Sequence, residues 1–231
     1  MARKIPENRF EVLVGAAVEV FIARGYRLTQ MQDVAEAVGV AKGTLYGYVE
    51  SKEALFALCL ANADRRESIE RPAILPVPTP PAGQLARQIE DRIARATDWP
   101  VWSTAMRSPR AADPRAEFEA VVRELYDVNE ANHRAIKLID RCQDHPELGF
   151  IWQKTGREAT RHQVADYLTL RIEGGQLRRV KHVRLAARFI IETIATWAIH
   201  IKWDHSPESF DPDEARENAI ACVVEALALK S

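Results

Sequence analysis

The stretch from Leu28 to Tyr48, LTQMQDVAEAVGVAKGTLYGY, constrains this chain more than any other, because it reads as two short helices joined by a tight turn. Thr29 is expected as an N-cap, with Gln32 three residues on reaching back to its amide in a capping box. The inner face of the first helix is then Val34, Ala35 and Val38. Gly39 falls where that helix must stop and supplies the positive φ of a C′ residue, after which Val40 turns into a small core. The second helix is expected from Ala41 to Tyr48, with Lys42, Gly43, Thr44, Tyr46 and Tyr48 around one buried Leu45. Such a rod suits the major groove of DNA, about 12 Å wide, and a large side chain at Gly43 would hold it away.

Further residues join this pattern: Gly25-Tyr26, Asp33-Val34-Ala35, Val38-Gly39-Val40, Lys42-Gly43-Thr44-Leu45-Tyr46 and Ser51-Lys52-Glu53-Ala54-Leu55. At these spacings roughly the first quarter of the chain resembles the TetR family of bacterial transcription regulators. The resemblance implies an all-α fold, with a three-helix DNA-binding head over residues 1–55 and a larger helical ligand-binding and dimerisation body over 56–231. It also implies that Thr29, Gln30, Ala41, Lys42, Gly43, Thr44, Tyr46, Tyr48 and Lys52 form the DNA-binding set. Within it Lys42, Thr44 and Tyr46 would read bases or adjacent phosphates, while Gln30, Tyr48 and Lys52 would hold the backbone. Gln30 stands where a second Thr is common, Ala41 where Ser is frequent, and Val49 where Phe is usual. Ala41 forgoes a side-chain cap, a loss of about 1 kcal/mol for the helix start.

At 231 residues the chain has room for a small module and a larger one. Its net charge is −1, and the seven basic residues up to Leu55 match seven acidic ones, so DNA binding must come from local placement of charge. Cys59, Cys142 and Cys222 are widely spaced within apolar helical patterns and are expected as buried thiols in a reducing cytoplasm. No apolar run approaches the roughly 20 residues of a membrane span. The Met1-Ala2-Arg3-Lys4 start lacks the apolar stretch of a signal peptide.

Along the chain, residues 1–8 read as an arm able to touch DNA, and Arg9 to Arg24 as an amphipathic helix with Phe10, Leu13, Val14, Ala17 and Phe21 inward, closed by Gly25. Ser51 is expected to cap a long helix through about Glu70. Arg71 to Gly83 holds five prolines and reads as the linker between head and body. Helices follow over Gln84 to Ala96, and from the Asp113-Pro114 cap toward Cys142 with a break near Asn129 to His133. Three more are expected over Pro146 to Glu173, with Phe150 inward, over Val183 to Trp203, and from Asp211-Pro212 to Leu229.

The last two helices carry Ala186, Ile190, Ile194, Trp197 and Ile201, and Ala219, Cys222, Val223 and Ala226. The resemblance implies that two such helices from each subunit form a four-helix homodimer interface, matched to a near-palindromic double-stranded operator. It places an effector pocket among the middle helices of the body. Trp102, Met106, Tyr126, Trp152, Tyr167 and Trp197 are the residues expected to line it for a hydrophobic or aromatic small molecule. The six histidines form no paired ligand motif, and there is no phosphate loop, nucleophile elbow or carboxylate pair. No metal, cofactor or catalysis is therefore expected. The alternatives are a regulator governed by a protein partner, and an all-helical carrier or enzyme with a similar head.

Overall fold

The computed structural model describes residues 9–65, 69–206 and 208–229. The expected DNA-touching arm over residues 1–8 lies outside them. In chain order the helices are α1 (Arg9–Arg24), α2 (Met31–Val38), α3 (Lys42–Tyr46), α4 (Lys52–Asn62), α5 (Gln84–Ala96) and α6 (Pro100–Met106). Then come α7 (Pro114–Ala131), α8 (His133–Asp140), α9 (Pro146–Ile151), α10 (Ala159–Glu173), α11 (Val183–Ala198) and α12 (Pro212–Leu227). Among the described residues there is no strand, and the all-α expectation stands. The expected single helix from Pro146 to Glu173 carries a π-helical stretch, Trp152–Glu158, between α9 and α10. No helix among the described residues is long and apolar enough to cross a membrane.

The chain forms two compact units, Met1–Arg92 with Arg134–Gln153, and Ile93–His133 with Lys154–Ser231. In the first, α1 packs on α2 and α4. Phe10, Leu13, Val14, Ala17 and Phe21 are all buried, as their i, i+3, i+4 spacing requires. Phe21, Tyr26 and Phe56 form an aromatic cluster, with Phe56 edge-on to both others at 5.0 and 4.8 Å between ring centroids. Gly25 closes α1 at φ 81°, where an added Cβ would sit 3.1 Å from the Arg141 carbonyl oxygen.

Asp64, just beyond α4, ties this unit together. Its carboxylate accepts from the Arg92 guanidinium at 2.6 Å and from the backbone amides of Arg134 and Ala135, near the start of α8, at 2.8 and 3.0 Å. An acidic group at a helix start satisfies amides that have no partner within the helix.

Three local expectations change in this unit. The N-cap of α2 is Gln30 rather than Thr29, and the side chain that reaches back is Asp33, which accepts from the Gln30 amide at 2.8 Å. Thr29 is 1% exposed and its hydroxyl donates to the Gly25 carbonyl at 2.7 Å, a local bond that outcompetes capping. The buried face of α2 is Met31, Val34 and Ala35, and Val38 and Val40 are half-buried. The capped helix after Ser51 ends at Asn62 instead of near Glu70.

The proline-rich segment is not a free linker. Val77 forms a parallel bridge with Val49, its amide donating to the Tyr48 carbonyl at 2.8 Å and its carbonyl accepting from the Glu50 amide at 3.0 Å. Thr79 then donates from its amide to the Glu50 carboxylate and from its hydroxyl to the Ser51 hydroxyl, both at 2.9 Å. Prolines barred it from a helix, but Val77 and Thr79, interleaved with Pro76, Pro78 and Pro80, supply the donors that dock it.

In the second unit α7 packs on α11 and α12, α11 on α10 and α12, and α6 on α7 and α10. Asp113 and Asp211 cap α7 and α12 as expected, each carboxylate accepting two backbone amides at 3.0–3.1 Å ahead of an N1 proline. The break near Asn129 to His133 separates α7 from α8. Arg171 of α10 is fully buried. It donates to both Glu117 carboxylate oxygens at 2.6 and 3.1 Å and to the carbonyls of Ser108 and Ala105 at 3.0 and 2.6 Å, locking the turn between α6 and α7.

Little of the expected dimer stripe is open to solvent: four of its nine residues are buried and four half-buried. Ile190, Ile194, Ala219 and Val223 are buried within the chain, and of the nine residues named for that stripe only Cys222 is fully exposed. The apolar side chains that α11 leaves in solvent are Leu185 and Phe189, at 64% and 58% exposure and one turn apart. Phe150, expected inward, is 62% exposed.

Candidate nucleic-acid interface

Five residues cannot hold a helix in water by themselves, so α3 takes its shape from its neighbours. Its Leu45 is fully buried and keys it into the head, while Gly39, left-handed at φ 72°, turns the chain out of α2 to place it. Ala41 stands at the N-cap without a side-chain bond, and its carbonyl accepts the Thr44 and Leu45 amides at 2.9 and 3.3 Å.

Opposite Leu45 the helix presents Lys42, Gly43, Thr44 and Tyr46 to solvent, with Tyr46 41% exposed. A Cβ built on Gly43 meets nothing within 4 Å, so the protein itself does not require a glycine there. The face offers an ammonium, a hydroxyl and a phenol around a gap in the side-chain surface, chemistry suited to base edges and phosphates. Gln30, at the start of α2, is also exposed.

The remaining residues of the expected DNA set serve inside the head. Tyr48 is 3% exposed and its hydroxyl is buried without a partner among the described residues, so it cannot hold a DNA backbone. Thr29 is spent on the Gly25 carbonyl. The Lys52 ammonium donates to the carbonyls of Tyr26, Arg27 and Thr29 at 3.0, 3.3 and 3.1 Å and lies 4.8 Å from the Tyr26 ring centroid. An ammonium has three protons, and all three are placed on the turn between α1 and α2. Burial, reinforced by Glu53, which accepts from its hydroxyl at 3.2 Å, pushes the Tyr26 phenol well above its ordinary range. These contacts span 23 or more residues of sequence, so no local pattern announces them.

Of the residues expected to line an effector pocket, Trp102, Met106, Tyr126, Tyr167 and Trp197 belong to the second unit, while Trp152 belongs to the first. There the Trp152 indole donates to Asp140 at 3.0 Å. Trp102 donates across to the Gln163 carbonyl on α10 at 3.1 Å. Tyr167 stacks on Phe118 and donates to Glu117 at 3.1 Å, and burial with that carboxylate raises its pKa. Tyr126 is buried, with the Arg216 guanidinium 5.6 Å from its ring centroid, and burial pushes its phenol up to about 12. Trp197 meets Phe210 edge-on at 5.8 Å, and Met106 is half-buried. Two open grooves on the first unit, about 470 and 570 Å³, are lined by none of these six.

Residues 13–59 match the family model of bacterial regulatory proteins of the tetR family. The chain is 20% identical over 223 residues to the HTH-type transcriptional repressor KstR2 of Mycolicibacterium smegmatis, covering 95% of this chain and 90% of that protein. It is 23% identical over 218 residues to the KstR2 repressor of Rhodococcus jostii, covering 94% and 89%. Its fold is similar to the solved ketosteroid transcriptional regulator KstR2 of Mycobacterium tuberculosis, with a TM-score of 0.59, 19% identity and 98% of both chains covered. Residues 13–59 thus match the DNA-binding head of the tetR family of bacterial regulatory proteins, and along nearly its whole length the chain is similar to HTH-type transcriptional repressors.

Proposed function

We propose that this chain is a cytoplasmic repressor. Two copies pair, set their α3 helices into successive major grooves of a palindromic operator, and leave it when a hydrophobic or aromatic effector binds the body. The observation that carries the reading is the solvent face of α3, where Lys42, Thr44 and Tyr46 surround a glycine that no intramolecular contact demands. Lys42, Thr44 and Tyr46 touch bases or adjacent phosphates, Gly43 and Ala41 permit close approach, and Gln30 meets the backbone. Thr29 and Lys52 act indirectly, by bonding the turn that orients α2. DNA reading falls to residues 1–55, and effector binding and pairing to 56–231.

Pairing uses α11 and α12 through their solvent-facing residues Leu185, Phe189, Ala221 and Cys222. Exposed apolar side chains on adjoining helices are what a self-complementary interface buries. The effector is held by Trp102, Met106, Tyr126, Tyr167 and Trp197. A hydrophobic effector accords with a relative named as a ketosteroid regulator. The chain has no catalytic role. Binding must favour one conformer by about 1–3 kcal/mol to change operator affinity 5- to 150-fold.

The test is selection of DNA from a random pool by the purified protein, followed by footprinting and by titration with ketosteroids and other hydrophobic compounds. A two-fold symmetric site protected by a dimer, and released by one of these compounds, is the expected result. A protein that selects no sequence refutes the reading. One that selects a site but releases it for no small molecule refutes the effector part alone.

A further inference from the structure

The exit of α3 is held by a segment that lies outside the family-matched residues 13–59. From Tyr48 to Ser51 the chain is in neither α3 nor α4, and four hydrogen bonds fasten it to the proline-rich segment. Val77 exchanges two with the backbone of Tyr48 and Glu50, and Thr79 gives one to the Glu50 carboxylate and one to the Ser51 hydroxyl. Ser51 in turn accepts the Ala54 amide at 3.1 Å as the N-cap of α4, so the Thr79 hydroxyl rests on the oxygen that starts that helix. The segment contributes little burial: Pro76, Pro78 and Thr79 are exposed and Val77 is half-buried. Its hold on the head is directional bonding, and the prolines limit the shapes it must give up to make those bonds.

We propose that residues 76–81 are a brace that sets the pose of the recognition helix, with Val77 and Thr79 as positioning residues for sequence discrimination. The inference rests on α3 being the DNA-reading helix. Discrimination depends on side chains reaching base edges at hydrogen-bond distance, whereas phosphate contact tolerates a looser fit. A five-residue helix keyed by one leucine and released at its exit still lies against DNA but no longer in register.

The test compares the wild type with Thr79→Val, which replaces the hydroxyl by a methyl, Val77→Pro, which removes the amide donor while also changing the side chain and fixing φ, and Thr79→Ser, which keeps the hydroxyl. Each is measured against a site selected by the wild type and against unrelated duplex, with the salt dependence and the melting temperature. Expected are a loss of about tenfold in affinity for the selected site in Thr79→Val and Val77→Pro, unrelated duplex bound as before, an unchanged salt slope and melting temperature, and near-complete rescue in Thr79→Ser. Unchanged discrimination in both variants, or an equal loss on both DNAs together with a lower melting temperature, overturns the brace while leaving the DNA-reading helix intact. A wild type that selects no sequence overturns both.

Discussion

Replacing Gly43 by alanine separates what the fold needs from what DNA needs. Gly43 lies in α3, and a Cβ there has no protein atom within 4 Å, so the new methyl meets no steric penalty in the free protein. Alanine is favoured over glycine in a helix by up to about 1 kcal/mol. For a chain of 231 residues that corresponds to a rise in melting temperature of roughly 2–4 °C at most. On DNA the sign reverses. A helix with its side chains is about 10–12 Å across and the major groove about 12 Å wide, so a methyl at the point of contact overfills it at a cost of about 1–3 kcal/mol per half-site. Two half-sites double that, to about 2–6 kcal/mol, a loss of affinity of at least about 25-fold by the tenfold-per-1.4 kcal/mol scale. Fluorescence anisotropy on the selected site and calorimetric melting read the two effects separately. A Gly43→Ala protein that binds its site as tightly as the wild type would refute the placement of Gly43 in the groove, and one that melts lower would refute the open surroundings of that residue.

Arg171→Ala should destabilise the protein by about 3–5 kcal/mol, since it leaves Glu117 and two carbonyls without their buried donor; a loss below 1 kcal/mol in denaturant unfolding would contradict that accounting. At pH 8 a thiol reagent should leave Cys59 and Cys142 unmodified, because burial raises the pKa of Cys59 and pushes that of Cys142 up to about 12; rapid labelling of either would show the first unit more open than described. Phe189→Asp should shift the oligomer toward single chains in sedimentation while leaving the fold intact, and an unchanged dimer would move the pairing surface elsewhere. The phenol of Tyr126 and the thiol of Cys142 both have folded pKa values raised above their unfolded ones, so the fold favours their neutral forms. That stability is complete below the unfolded values, about 9 for the thiol and 10 for the phenol, and is lost as pH rises through about 12. Denaturant midpoints should therefore hold near pH 8 and fall from about pH 9 upward, and midpoints that climb there would reverse the assignment.

Much of the fold was legible in the residues alone. The bounds of α1 and α5, the stop at Gly39, the Asp113 and Asp211 caps and the buried Leu45 all follow from rules that reach at most one or two turns along the chain. The exposed Lys42, Gly43, Thr44 and Tyr46 were legible for the same reason, since a short helix with one leucine has only one way to face inward. Three residues of the expected DNA set were read less well. Thr29 lost its cap to a bond with Gly25, while Lys52 and Tyr48 were claimed by partners or by burial set elsewhere in the head. The last two helices show the same limit: their apolar spacing announces an inward stripe, yet spacing cannot say whether the inside belongs to this chain or to a second copy.

By itself the sequence determined the all-helical class, the helix-turn-helix and the side chains that α3 turns outward, because these depend on periodicity, caps and glycine placement over a few neighbouring residues. Only the tertiary structure decided that Lys52 spends its protons on the turn after α1, that Arg171 is buried with four bonds to Glu117 and two carbonyls, and that Val77 and Thr79 of the proline-rich segment return to bond the exit of α3. Each of these joins groups 23 to 66 residues apart. Whether such groups meet depends on the packing of whole helices, and one-dimensional spacing carries no record of it.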